Sequence, residues 1–398
     1  MKIIIKDNWS KNLGDVAVAE AMICQMQETF PGCFLVLESS HPAITKEYFK
    51  DIKIVPRLFD VSKIKYTGKV FSLKFFFNNI PFILKTIYIV INSFLFVTFN
   101  MKKSKFEILN EIKSADLILS AGGDFLSKKY AYPLRFFEYF LIKKQHKILI
   151  LYAQSIGPFP KISIFFVRWF LKKIDGILAR DEKTVSLLKE YGVFSNVYKT
   201  ADSVILLKTN DSFRAKKIIS DYKVDKTTVM IVVRDTKFTD ISEREHSVYI
   251  SGITEVISYI LLLGYKVMFF APNEEDLFFS QKINKDFNLN LPIMDIHTLL
   301  PSEIKFVFSN IKFLISARMH PIIIASTVGI PVISTGYEFK MSNYMKSIGM
   351  ENYYLDMIPF NKESLILKIN LLIKSYDNIQ QNLLRKNKII TSLSKENL

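Results

Sequence analysis

The chain has 398 residues, 49% hydrophobic and 23% charged, which excludes a disordered polypeptide and leaves room for two domains with substantial cores. Its formal net charge of +16 suits anionic small substrates, an anionic membrane face or nucleic acid. Nucleic acid is disfavoured: there is no RNP-like aromatic pair, zinc spacing or arginine-rich tail, and scattered Lys among abundant Ile, Phe and Asn is the bias of an AT-rich coding sequence.

Residues 2–6 read as a short strand, with three isoleucines too brief a core for a signal peptide. Asn12-Leu13-Gly14-Asp15 is a loop, in which Gly14 lets the backbone approach a ligand and Asp15 is placed to cap the next helix. That helix covers 16–29 and ends at Pro31-Gly32. Cys24 and Cys33 match no metal or redox spacing, so a reduced, cytoplasmic protein is expected. Residues 34–37 are a second strand. Residues 64–106 read as a hydrophobic helical insertion. Within it, 80–99 is nearly long enough to span a bilayer, but Lys85 and Asn92 interrupt it and Lys102, Lys103 and Lys105 follow. A buried helix and a helix lying on an anionic membrane surface both fit that pattern better than a span inserted into an α/β domain. Residues 135–152 and 161–173 are further aromatic-basic stretches.

Continuous apolar runs at 115–120, 147–152 and 174–179 read as strands buried on both faces, and their alternation with helices argues for a parallel sheet. Ala121-Gly122-Gly123-Asp124 follows the first run. Its glycine pair suits presenting N–H groups to an anion, but has the spacing of neither a dinucleotide fingerprint nor a P-loop. Ala153-Gln154-Ser155-Ile156-Gly157-Pro158 follows the second, and Arg180-Asp181 the third. The polar stretch 208–226 marks the domain boundary, giving α/β domains over 1–207 and 208–398. In the second half a strand at 229–233 ends on Arg234-Asp235, a helix covers about 248–263, a strand follows at 265–270, and Pro301 begins another helix. Residues 313–315 form a buried strand that stops at Ser316-Ala317-Arg318-Met319-His320. Pro321 can open a helix there, because the first helical position needs no N–H; Gly329 can end it, and Pro331 forbids its continuation. A strand at 331–335 leads to Tyr337-Glu338-Phe339-Lys340, and one or two amphipathic helices run from 362 onward.

Arg318 and His320 therefore stand where a parallel strand hands over to a helix, the usual ligand edge of an open α/β sheet. A fixed cation and a titratable imidazole two residues apart suit chemistry on an anionic substrate. Arg180, Arg234, Arg318 and Lys340 would line one cleft between two such domains, and arginine suits bidentate recognition of phosphate or carboxylate. Simpler readings stand beside these: a solvated Arg318, a capping His320, turn glycines, and Arg180 paired with Asp181 or Glu182. His41, His146, His246 and His297 read as surface or structural. No Gly-x-Ser-x-Gly elbow, Cys–His pair or metal-ligand spacing is present.

Taken in order, these motifs resemble the polysaccharide pyruvyl transferase family. The matching residues are Asn12-Leu13-Gly14-Asp15, Ser120-Ala121-Gly122-Gly123, Gln154-Ser155-Ile156-Gly157-Pro158, Ala179-Arg180-Asp181 and Ala201-Asp202. Arg318-x-His320 follows, then Ala325, Gly329-Ile330-Pro331 and Tyr337-x-x-Lys340. The insertion at 64–106 has no match, and Asp124 stands where a small residue is expected.

The resemblance implies a fold similar to the two-domain GT-B glycosyltransferases, with two Rossmann-like domains facing a cleft. It also implies transfer of pyruvate from phosphoenolpyruvate onto two sugar hydroxyls as a cyclic ketal, in surface-glycan biosynthesis. Phosphoenolpyruvate is then a donor substrate, with no cofactor or metal required, and the acceptor is a saccharide or lipid-linked oligosaccharide. Arg180 and Arg318 match the family's donor positions, with Lys340 a lesser candidate, and His320 is the acid/base. Arg234, Gly122 and Gly123 are assigned to the same donor. Gly14, Asp15, Asp124 and Gln154 are assigned to the acceptor side or its loops. The N-terminal domain is expected to take the acceptor and the C-terminal domain the donor. The expected location is cytoplasmic, at the inner face of the plasma membrane if the aromatic-basic segments contact anionic lipid. Two other readings fit the same residues: a GT-B glycosyltransferase with a nucleotide-sugar donor, and a catalytically silent subunit of a glycan assembly.

Overall fold

The structure, a computed structural model, describes residues 1–59, 79–128, 132–236, 241–295, 299–337 and 339–397. They divide into two compact units. The first comprises Met1–Ser10, Met22–Ser203 and Lys395–Leu398, and the second Lys11–Ala21 and Val204–Ser394.

Among the described residues, the first unit holds a parallel sheet of β1 (Lys2–Asn8), β2 (Phe34–Ser39), β3 (Lys53–Pro56), β4 (Leu117–Ser120), β5 (Gly123–Leu126), β6 (Ile148–Ile156), β7 (Gly176–Ala179) and β8 (Val197–Lys199). Their order is β3-β2-β1-β4-β6-β7-β8, with β5 paired to β6. The helices are α1 (Leu13–Thr29), α2 (Pro42–Tyr48), α3 (Ile80–Thr98), α4 (Glu107–Ser114), α5 (Tyr132–Lys144), α6 (Ile164–Leu171) and α7 (Glu182–Glu190); α1 begins among residues of the second unit. β4 and β7 are buried along their whole length, as their unbroken apolar runs require of strands covered on both faces. Part of the insertion, 64–78, lies outside the described residues. Its remainder contains α3, which is not the buried core helix that its composition allows. Only Ile89, Ser93 and Phe96 are buried.

The second unit holds β9 (Thr228–Val232), β10 (Lys266–Ala271), β11 (Ile293–Asp295), β12 (Phe313–Ser316), β13 (Val332–Gly336) and β14 (Tyr354–Asp356), all parallel in the order β11-β10-β9-β12-β13-β14. Its helices are α8 (Phe213–Asp221), α9 (Glu243–Leu262), α10 (Glu274–Asp286), α11 (Pro301–Phe308), α12 (Met319–Thr327), α13 (Phe339–Ser347), α14 (Lys362–Lys374) and α15 (Tyr376–Lys395). Side-chain caps start several of them. Ser212 Oγ accepts from Ala215 N at 3.2 Å in α8, Asn273 Oδ1 from Asp276 N at 2.8 Å in α10, and Ser242 and Glu245 form a reciprocal capping box on α9. α8 falls inside the polar stretch 208–226, and of its own residues only Ala215 is buried, so no apolar period announces it. α12 begins two residues ahead of Pro321. The proline is the third helical residue, still in the first turn, where N–H groups have no intrahelical acceptor.

Both sheets reverse strand order once. In the first unit the reversal falls between β1 and β4, and in the second between β9 and β12. The carboxyl ends of the strands at such a reversal form the usual ligand crevice of an open α/β sheet.

Candidate active site

At the second unit's reversal, Arg234 and Arg318 follow β9 and β12 by two residues each. Arg318 is the N-cap of α12 with an extended backbone, and Ser316 Oγ fixes that turn by accepting from Arg318 N at 3.0 Å and donating to Arg318 O at 2.8 Å. Its guanidinium is gripped by Asp276, with Nε donating to Oδ2 at 2.8 Å and Nη2 to Oδ1 at 2.7 Å. Asp276 is 1% exposed in the first turn of α10. Burial pushes its carboxyl above the ordinary range, against the pull of the Arg318 guanidinium. Arg234 lies with Cζ 4.2 Å from the Tyr337 ring centroid, and its charge also acts on Asp276. The buried Tyr249 phenol faces the same group: its oxygen lies 3.5 Å from Arg234 N, and its charged form would feel Asp276 and Arg318.

His320 is the second residue of α12 and half-buried. Its ring lies against the Gly14 backbone. A Cβ on Gly14 would come within 2.3 Å of Nδ1 and 2.5 Å of Cε1, so only glycine leaves room for the imidazole. The start of α1 is tied to the loop after β10: Leu13 N donates to Pro272 O at 2.9 Å, and Asn12 bridges Asn273. The helix cap is Asn12 and not Asp15. Asn12 Oδ1 accepts from Asp15 N at 3.0 Å, and Asp15 Oδ2 accepts from Asn12 Nδ2 at 2.5 Å. Gly14, His320, Arg318, Asp276 and Arg234 thus form one linked group within the second unit. Lys340 stands half-buried in the first turn of α13. Its neighbour Glu338 lies outside the described residues, as does His297.

In the first unit, Arg180 directly follows β7. Its Nη1 donates to Asp202 Oδ2 at 2.7 Å and its Nε to Ser155 Oγ at 2.9 Å. Its carboxylate partner is therefore Asp202, not the adjacent Asp181 or Glu182. Asp181 instead caps α7 at Thr184 N, at 2.8 Å, and accepts from Ser155 Oγ at 2.5 Å. The Ser155, Arg180 and Asp202 motifs, separate in sequence, meet here.

The first unit's reversal carries a second buried polar cluster. Lys6 Nζ sits 2.7 Å from Glu38 and 2.8 Å from Glu138. Burial alone would lower its ammonium, but the Glu138 and Glu38 carboxylates outweigh that and hold it above its ordinary value. Asp7 accepts from Arg57 at 3.0 Å, from Ser120 Oγ at 2.6 Å, and is paired with Arg135. Gln154 is buried and donates to Ser120 Oγ at 2.6 Å and Ala121 O at 2.9 Å, holding the turn that leads into Gly122 and Gly123. Gly123 has φ +151° and Asp124 is half-buried beside it.

Of the remaining histidines, His246 is buried with Nδ1 2.6 Å from Thr236 Oγ1, and His41 stacks edge-on with Trp9 at 5.0 Å. Asn273 and Asp276 escaped the reading of the sequence. The signal was present as Asn273-Glu274-Glu275-Asp276 directly after an apolar strand, the same strand-end rule that picked out Arg318.

The family model for polysaccharide pyruvyl transferase matches residues 12–338. The amylovoran biosynthesis protein AmsJ of Erwinia amylovora is 20% identical over 299 residues, 70% of each chain. Among solved structures, UDP-GlcNAc 2-epimerase from Methanocaldococcus jannaschii superposes with a TM-score of 0.59 at 12% identity, covering 99% of this chain and all of that one. UDP-GlcNAc 2-epimerase from Neisseria meningitidis bound to UDP-GlcNAc gives 0.57 at 12% identity, covering all of both chains. These likenesses establish a fold of the GT-B kind. The family match spans the Asn12–Asp15, Arg180 and Arg318–His320 motifs whose geometry is given above, and on it the chain belongs to the polysaccharide pyruvyl transferase family, transferases that act on polysaccharide.

Proposed function

We propose that the protein transfers pyruvate from phosphoenolpyruvate onto two hydroxyls of a sugar as a cyclic ketal, in exopolysaccharide biosynthesis. The observation that carries this reading is the group at the second unit's strand reversal: two arginines and an imidazole beside a helix N-terminus, within a chain of this family. The donor bears a phosphate and a carboxylate, and each needs a cation. Asp276 holds Arg318 through Nε and Nη2, which fixes the guanidinium plane and leaves its Nη1 edge outside that grip. Arg234 supplies the second cation, and Lys340 a further one.

In the proposed reaction the enol methylene gains a proton and the adjacent carbon becomes oxocarbenium-like. One sugar hydroxyl bonds to that carbon, the carbon–oxygen bond to phosphate breaks, and a second hydroxyl closes the ring. The two hydroxyl protons balance the one added to the methylene and the one carried off on phosphate. His320 is the group assigned to move them, and a rigid neighbour is what a general acid–base needs. Arg318 stabilises the departing phosphate. Arg180, held by Asp202 in the first unit, is a second fixed cation whose part in turnover is tested separately, by Arg180→Lys.

The experiment is phosphate release from phosphoenolpyruvate in the presence of candidate envelope polysaccharides. Wild type is expected to release phosphate only with a suitable acceptor, and His320→Ala to lose about 100- to 10,000-fold in rate. Full activity in His320→Ala would remove its assigned role. Turnover of a nucleotide sugar in place of phosphoenolpyruvate would replace the reaction and leave the fold intact.

A further inference from the structure

Two helices of the first unit break the rule that a surface helix turns its apolar stripe inward and its charges outward. In α3 the inward stripe is Ile89, Ser93 and Phe96. The opposite face, Leu84, Ile87, Tyr88, Ile91 and Leu95, is apolar as well and 40–62% exposed. Just before α6 and along it, Ile162 is 91%, Phe165 76% and Phe166 64% exposed, while Val167 and Leu171 face the core. Both helices flank α5: Phe136 of α5 stacks on Phe170 at 5.2 Å, and Lys144 of α5 lies 5.1 Å from the Phe94 ring of α3.

The charge around these stripes has one sign. Residues 80–105 contain four lysines and no Asp or Glu, and residues 161–173 contain three lysines, one arginine and no Asp or Glu. Lys105 lies over the Tyr88 ring at 3.4 Å and Lys173 over the Trp169 ring at 3.5 Å, so cations border the apolar stripes directly. Between α5 and α6 there is a cavity of about 410 Å³ lined by Tyr139, Phe140, Lys143, Lys144, Phe170 and Lys173 among others. Lys143 is tied to Asp175 at 2.6 Å, whereas Lys144 and Lys173 lie against aromatic rings.

We propose that the first unit docks on an anionic lipid bilayer through the outer faces of α3 and α6, with the cavity taking a headgroup phosphate at Lys144 and Lys173. The occupant follows from charge complementarity: aromatic and aliphatic stripes bordered by Lys105, Lys144 and Lys173 match an interface whose surface is negative and whose interior is apolar. α3 is long and apolar enough to cross a membrane. Its Ile89 and Phe96, however, belong to the hydrophobic cluster that covers the sheet, together with Leu109 and Ile112. Crossing would strip them from that core, whereas lying flat keeps them there.

The test is co-sedimentation of the full chain with vesicles of phosphatidylglycerol or of phosphatidylcholine. Binding to phosphatidylglycerol is expected to be about tenfold stronger or more, and to weaken sharply in about 0.5 M NaCl. Phe165→Ser with Phe166→Ser, and separately Lys172→Glu with Lys173→Glu, are expected to lose about tenfold or more in binding. All four side chains are exposed, so these variants should keep the wild-type circular dichroism spectrum. No sedimentation with either vesicle overturns the proposal, as does equal binding to both. A dimer in velocity sedimentation that dissociates in Phe165→Ser with Phe166→Ser, without vesicle binding, also overturns it and assigns the face to a second copy.

Discussion

Gly14 and His320 are the residue pair on which the proposed chemistry turns. A methyl group at position 14 would occupy the place of the imidazole, at 2.3 Å from Nδ1. Gly14→Ala is therefore expected to keep the fold, displace the ring by about 1 Å and cost about 100-fold in turnover, as misplaced catalytic groups do. Steady-state kinetics checks this. A rate equal to wild type would mean that the ring position does not matter. Asp276→Asn removes the carboxylate that orients Arg318 and is expected to cost about 3 kcal/mol of stability, measured by denaturant unfolding, because one member of a buried pair is lost. Glu20 gives a pH signature. It accepts from Ser302 N at 3.0 Å, and burial raises its carboxyl to about 7. The folded state then holds the proton where the unfolded chain has released it, so stability falls as pH rises from the ordinary glutamate value of 4.5 through about 7. Glu20→Gln should be more stable than wild type at pH 8, by on the order of 3 kcal/mol, and should lose that advantage near pH 5. A pH-independent difference would contradict the burial argument. Asp276 stood at a readable strand end, but its grip on Arg318 and the contacts of Gly14 and Glu20 were not legible locally. The partners of Gly14 and Glu20 lie most of a chain length away, and no periodicity encodes them.

The elements were far more readable than the contacts. Strands buried on both faces announce themselves as unbroken apolar runs, and β4, β7, β9, β12 and β13 all stand where such runs occur. β3, β5, β8, β11 and β14 went unread because each has only three or four residues and no unbroken apolar run along them. α12 shows the limit of punctuation. Pro321 marked the right turn of the right helix, yet the helix starts two residues earlier, which carries His320 into its first turn. The role of Arg318 was legible as a position and not as a state: its charge does not stand alone but is held by Asp276 from a different strand end. Arg180 and Asp202 repeat that device, so Asp202→Asn should weaken function through Arg180. The check is a kinetic comparison of Asp202→Asn, Arg180→Lys and the double variant. Effects that fail to add are expected, and additive effects would separate the two residues.

At the scale of the molecule, the alternation of apolar strands and helices twice over was enough to indicate two α/β sheets, and the fold of the GT-B kind follows. Less visible in the sequence is that Lys11–Ala21 belongs with the second unit although it precedes nearly all of the first. Its buried residues Leu13, Val16 and Ala17 pack there together with Glu20 and Gly14. A fragment of residues 204–394 should consequently unfold with low cooperativity. The claim on which the functional account rests is the donor, and thermal stability of the full chain tests it most directly. Phosphoenolpyruvate is expected to raise the melting temperature saturably by several degrees at concentrations far above its dissociation constant, with the shift lost in Arg318→Ala and not reproduced by inorganic phosphate. A shift with UDP-GlcNAc alone would contradict the account.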